Sequence, residues 1–426
     1  MRFLNAFKRI VTHYENSRIS LGEYAVTLYA IIFVRLLVET FSDNRGNFAE
    51  YMHYYIHYPL FFTLSFCGFA LILRDFTGQD MSKILKALLP FFTLILVTPI
   101  VDLLFYGGGD INYFIGPPYR IFHSYLNFYG MDGLNEGVTP GMRVQIALMI
   151  LSAAGYVWIK TRSAFKTIMS ALTCYSLLFA LGWMPQVLSS VSNHFAATGE
   201  GIGLFYSQTL GVARKPSNYI SMLLFPMVAS AVAACFSALD VKKTKSFTST
   251  MFSRGQLSRA VILCLGIWLG YAQFPEIFSL KQPMMYLLFL NMILCVLFTG
   301  AASKTAEYIK QKIEFHGLDK DDMKVMLHAC MLFSLMPALI VSYPFFCLIL
   351  SYHAFTAINL SKVFDLWKSR HAGSVIAGLK SVLLIWMGYV AVNPKGNLYN
   401  LPSTVNTATV IVLILAAIIA WRSEKD

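Results

Sequence analysis

Two polar stretches carry the residues best suited to chemistry. The first reads AVAACFSALDVKKTKSFTSTMFSRGQLSRAV; it sets Asp240 at the end of an apolar block, then Lys242, Lys243 and Lys245, and then Arg254, Gly255 and Arg259 where the next block begins. The second reads YHAFTAINLSKVFDLWKSRHAGSVIAGLKS and repeats the recipe, with Lys362, Asp365, Lys368, Arg370, His371 and Gly373 in order. A carboxylate beside several cations at a helix mouth suits a diphosphate, held through Mg on the aspartates or paired directly with the cations. In either case fixed positive charge compensates the leaving group. The competing explanation is that Lys and Arg collect in the cytoplasmic loops of membrane proteins whatever their function.

The elements that must position these residues are membrane helices. Of the 426 residues, 57% are hydrophobic and only 13% are charged, about half the charged share of a soluble protein. The apolar residues come in blocks long enough to cross a hydrocarbon slab of about 30 Å at roughly 1.5 Å per residue. Only a helix satisfies its own backbone in lipid, and the alternation of membrane strands is absent, so the fold class is an all-α polytopic transmembrane bundle. A net charge of +12 would suit nucleic acid if the basic residues formed one stripe. They are instead spread over alternate loops, so no nucleic-acid partner is expected. The seven cysteines all fall in apolar blocks without a Cys-x-x-Cys spacing and read as small packing residues.

Twelve spans are expected, near 22–40, 53–73, 88–106, 144–159, 167–187, 218–236, 258–274, 283–301, 325–342, 344–361, 376–392 and 404–421. The basic, mildly amphipathic N-terminal segment MRFLNAFKRIVTHYENSRIS reads as a cytoplasmic interfacial helix ahead of the first span. The spans flanking Pro344 share one apolar run, and a single kinked helix there would invert everything downstream. With the N-terminus inside, and Arg259 counted at the cytoplasmic mouth of its span, 25 of the 34 Lys and Arg fall on the cytoplasmic side and 7 outside, leaving Arg35 and Lys380 within spans. That asymmetry favours twelve spans in an inner or plasma membrane with both termini cytoplasmic. Of the two long external loops, 107–143 and 188–217, the first is rich in Gly, Pro and aromatic residues and reads as an ordered cap.

With two lone-Asp loops on one face, four spans apart, the frame resembles the UbiA-type intramembrane prenyltransferase superfamily. In that family two Asp-rich cytoplasmic loops, after the second and sixth helices, hold Mg-bound prenyl diphosphate above a lipid-facing cavity. The resemblance covers residues 160–426, with the spans at 218–236 and 344–361 in the places of those two helices and residues 1–159 as an added four-span domain. FSRGQLSRA is similar to the segment after the family's first motif, with Gly255 and Ser258 in matching places, and Asp365, Arg370 and Gly373 keep the spacing of the second. The resemblance implies that Asp240 and Asp365 are catalytic and hold Mg, that Lys242, Lys243, Arg254, Lys362 and Arg370 bind an isoprenoid diphosphate, and that membrane lipids surround the site. Loss of diphosphate would leave an allylic cation for an acceptor to attack, a step that needs positioning more than a protein nucleophile. The chain departs from the pattern: Phe236 and Thr244 flank Asp240, and Lys362 and Ser369 stand where carboxylates are usual. A metal-sparing variant that uses lysines, a non-catalytic subunit that binds lipid, cofactor or partner membrane proteins, and a transporter therefore stay open.

Other ionisable residues have plainer expected roles. His53, His57, His328 and His353 sit near span ends, where interfacial packing explains them better than haem or metal ligation. Arg35 is set to pair with Glu39 one helical turn away, while Asp102 is expected near an outer interface. The cluster Asp319, Asp321 and Asp322 lies in a charge-alternating stretch that reads as a solvated helix–turn–helix.

Overall fold

The computed structural model describes residues 2–42, 54–106, 121–128, 138–184, 216–273, 283–311, 320–361, 370–392 and 402–422. All regular structure among them is helical: α1 (Arg2–Glu15), α2 (Leu21–Ser42), α3 (Tyr54–Thr77), α4 (Met81–Phe92), α5 (Val97–Tyr106), α6 (Ile121–Leu126), α7 (Pro140–Thr161), α8 (Ala164–Gly182), α9 (Pro216–Leu239), α10 (Val241–Met251), α11 (Arg254–Gln273), α12 (Pro283–Gln311), α13 (Lys320–Val341), α14 (Tyr343–Leu360), α15 (Arg370–Val392) and α16 (Ser403–Arg422). Ten stretches of this helical structure are long and apolar enough to cross a membrane, and they coincide with the first ten expected spans. The shorter apolar stretches Val375–Val390 and Ser403–Leu415 lie where the last two were expected.

Local sequence explains the breaks. Pro90 interrupts the third span, which passes through a short 3₁₀ segment at Thr93–Leu96 between α4 and α5. Thr93 Oγ1 donates to Pro90 O at 2.6 Å, capturing a carbonyl near that break. At the apolar run around Pro344 the chain forms two helices, not one kinked helix. Ser342 is extended (φ −171°, ψ 156°), its Oγ accepts from Phe345 N at 3.2 Å, and Pro344 sits in the first turn of α14, where a missing N–H costs nothing. Ser334 and His353 meet at 2.8 Å between the two helices, as a hairpin requires.

The described residues form two compact units, one ending at Val241 and the other starting at Lys242. The division therefore falls later than the boundary expected near residue 159. The polar residues at 160–163 mark only a tight turn: Arg162 takes a left-handed conformation (φ 54°), and Ser163 caps α8 by accepting from Lys166 N at 3.3 Å. Both α8 and α9 then pack against α3, which keeps them with the N-terminal helices.

In the first unit, the aromatic residues Phe62, Phe66 and Phe92 meet edge to face around α3 and α4. Arg35 is 2% exposed and lies at the centre of a polar network. Its Nη2 is 3.3 Å from Glu39 Oε2, and its Nη1 donates to Ile95 O at 2.7 Å and to Gln145 Oε1 at 3.2 Å. Tyr58 donates to Glu39 at 2.8 Å, Thr98 donates to Gln145 at 2.6 Å, and the guanidinium sits 4.7 Å from the Phe62 ring centre. Asp102, also 2% exposed, accepts from the backbone N–H of Gly141 at 2.8 Å. It joins α5 to α7 inside the unit. The amphipathic α1 packs Phe7 on Phe91 and buries Val11, and Glu15 accepts from Lys160 at 2.6 Å and Tyr156 at 2.9 Å.

In the second unit, α12 lies along α13, α11 along α15, and α14 touches α12, α13 and α15. The approach of α11 and α15 rests on two glycines. A Cβ on Gly266 would strike Ile385 O, and a Cβ on Gly388 would strike Leu263 O and come within 2.6 Å of Ile267 N. Small residues let membrane helices approach until backbones touch, and both positions lie at such a contact.

Candidate functional site

The second unit holds a cavity of about 670 Å³ bounded by α11, α12, α14 and α15, within the size range of ligand pockets. Helical spacing on each element explains how its residues reach one space. Gln256 and Arg259, three apart in the first turns of α11, share a face, as do Lys304 and Glu307 on α12; Ile376, Lys380 and Leu384 repeat every four residues on α15. α14 contributes Tyr352, Thr356 and Asn359. Arg259, Lys304 and Lys380 therefore face one cavity, where Glu307 is the one carboxylate among the described residues, a net of two positive charges for that set. Ile262, Ile376 and Leu384 add an apolar wall.

Each cation is held by a specific neighbour. Arg259 Nη1 donates to Gln256 Oε1 at 2.7 Å, and Gln256 is itself only 2% exposed. Gly300 of α12 makes room for that pair: a Cβ there would collide with Gln256 Oε1 and come within 2.7 Å of Arg259 Nη1. The Lys380 ammonium lies 5.1 Å from the centre of the buried Tyr352 ring, and that of Lys304 lies 5.8 Å from Tyr308. An aromatic face partly compensates an ammonium without consuming its hydrogen-bond donors, so both lysines can still reach an anion. Glu307 accepts from Gln311 at 3.2 Å, one turn further along α12.

The residues singled out from the sequence are distributed differently. Asp240 is half-buried at the end of α9, its N–H donating to Phe236 O at 2.9 Å, and it belongs to the first unit. Lys242 and Lys243 belong to the second. Lys242 is exposed on α10, while Lys243 is ion-paired with Asp322 of α13. Arg254 and Arg370 occupy the first positions of α11 and α15. Lys362 and Asp365 lie outside the described residues, as do His53 and Asp319. Among the histidines, His57 Nδ1 is 2.9 Å from Ser221 Oγ, His328 Nδ1 is 2.7 Å from Lys324 O, and His353 contacts Ser334. Asp321 pairs with Lys324 at 2.9 Å on the same helix.

The resemblance implies Mg on Asp240 and Asp365, of which the second lies outside the described residues; the described lining of the cavity is poor in the donors that Mg takes. A hard dication needs several anionic oxygens, whereas among the described residues this lining offers one carboxylate against three cations. Among the described residues no group of three or more His, Cys, Asp or Glu is placed to hold a metal.

Sequence reasoning passed over Gln256, Lys304 and Tyr352, which acquire their roles only when four helices converge. Two signals were present: Arg259 lay in the first basic loop, and Lys380 was an ionisable residue inside an apolar block, a position that is costly to fill. No protein family, curated protein or solved structure matches the chain.

Proposed function

We propose that this integral membrane protein has twelve spans with both termini cytoplasmic, and that its second unit binds a lipid with a phosphate or diphosphate headgroup, an isoprenoid diphosphate in the first instance. The observation that carries this reading is the convergence of Arg259, Lys304 and Lys380 on one cavity that also has an apolar wall. Arginine and lysine donate charge-assisted hydrogen bonds to phosphate oxygens, and an apolar wall accepts the first carbons of a chain. The resemblance of residues 160–426 to the UbiA-type prenyltransferases supports an isoprenoid as that chain. Binding without prenyl transfer is the version the geometry favours, because a single carboxylate lines the cavity among the described residues.

The test is equilibrium binding of farnesyl diphosphate, against farnesol as control, to the full chain in lipid nanodiscs. Loss of diphosphate binding in Arg259→Gln and Lys380→Met, with retention in Asp240→Asn combined with Asp365→Asn, is the expected pattern. A preference for farnesol, or equal binding of both, would sink the proposal. Prenyl transfer to a membrane acceptor that is lost in the double Asp variant would instead restore the catalytic reading.

A further inference from the structure

Resting on that reading, we infer that the headgroup is recognised without a divalent metal, by a three-cation clamp in which Gln256 is a positioning residue that aims Arg259. Charge balance is the first argument. Among the described residues the lining carries a net of two positive charges; a dication would raise that further, whereas a diphosphate offsets it. The second argument is local construction. Arg259 is fixed through Nη1 by a buried amide oxygen at 2.7 Å, which leaves the rest of its guanidinium fork for a phosphate. The glycine at 300 is the space that this Gln256–Arg259 pair fills. Third, Lys380 and Lys304 rest on aromatic faces, and among the described residues neither makes an ion pair, so their N–H donors stay open to a phosphate. The cavity also takes in Ser253, Gly255 and Ser258 around the first turn of α11, the helix end that favours an anion.

The experiment titrates farnesyl diphosphate onto the full chain in nanodiscs, once in EDTA and once in excess Mg, with inorganic diphosphate as competitor. The expected result is a Kd that agrees within about twofold between the two conditions. Arg259→Gln and Lys380→Met should each weaken binding by about tenfold or more, the loss of one charge-assisted contact. Gln256→Ala should weaken wild type but add nothing in the Arg259→Gln background, the double-mutant signature of acting through Arg259. A merely structural Gln256 would weaken both backgrounds alike, and that result overturns its assignment. Binding that vanishes in EDTA and returns with Mg overturns metal independence while leaving the isoprenoid reading intact. Failure to bind under either condition removes the reading itself. Metal-independent binding that survives both cation variants would place the headgroup elsewhere and overturn the clamp. The EDTA comparison needs no substitution, and Lys304→Met serves as a third clamp variant if either of the others fails to fold.

Discussion

Arg35 shows how one side chain can govern the stability of a membrane unit. Its guanidinium satisfies a backbone carbonyl and an amide oxygen, and balances the charge of Glu39. Arg35→Met should destabilise the protein by about 3–5 kcal/mol, because Glu39 loses the buried cation paired with it. Adding Glu39→Leu should recover part of that loss, and denaturant titration in detergent micelles reads both. The Asp102 contact predicts an ordering of its own. Asp102→Asn keeps an oxygen for the Gly141 N–H and should be mild, whereas Asp102→Leu strands that donor at a cost of about 1–3 kcal/mol. The Arg35–Glu39 pair was legible in the sequence because residues four apart in a helix face each other. Its other partners, Ile95 and Gln145, were not, since they lie 60 and 110 positions away and meet Arg35 only in the folded unit.

At the scale of elements, the two glycines between α11 and α15 set how closely those helices approach. Gly266→Ala or Gly388→Ala inserts a methyl group against backbone, which should cost about 1–3 kcal/mol. The same helices line the cavity, so each change should also alter ligand affinity without touching a lining residue, as a titration in nanodiscs would register. Ser342→Ala removes a cap between α13 and α14 and should lower thermal stability by about 1 kcal/mol while leaving the hairpin formed. Hydropathy and Pro344 made that break readable. Nothing in the sequence distinguished Gly266 and Gly388 from the other glycines, because a close crossing is a property of two helices at once.

For the whole molecule, the apolar blocks located the membrane helices well, since length and hydropathy are local quantities. They did not locate the division between the two units, which depends on which helices α8 and α9 pack against. The candidate site was legible only in part. Arg259 and Lys380 lay at the ends of the two basic stretches, yet the cavity also uses Lys304, which is separated from both along the chain. Topology has its own test: cysteines introduced at Lys8 and at Lys425 should both be labelled from the cytoplasmic side in intact cells or oriented vesicles, and labelling on opposite sides would rule out an even number of spans. The N-terminal helix adds a consequence for how the first unit sits in lipid. With Lys8, Arg9 and Ile10 outward, Val11 inward, and Glu15 clasping Tyr156 and Lys160, α1 is tethered to α7 by its last turn, and an interfacial α1 held this way would set how deep the unit sits. Cutting that tether with Glu15→Ala should let the unit ride deeper or tilt, and lipid-borne quenchers at graded depths would then report a shifted position for Trp158.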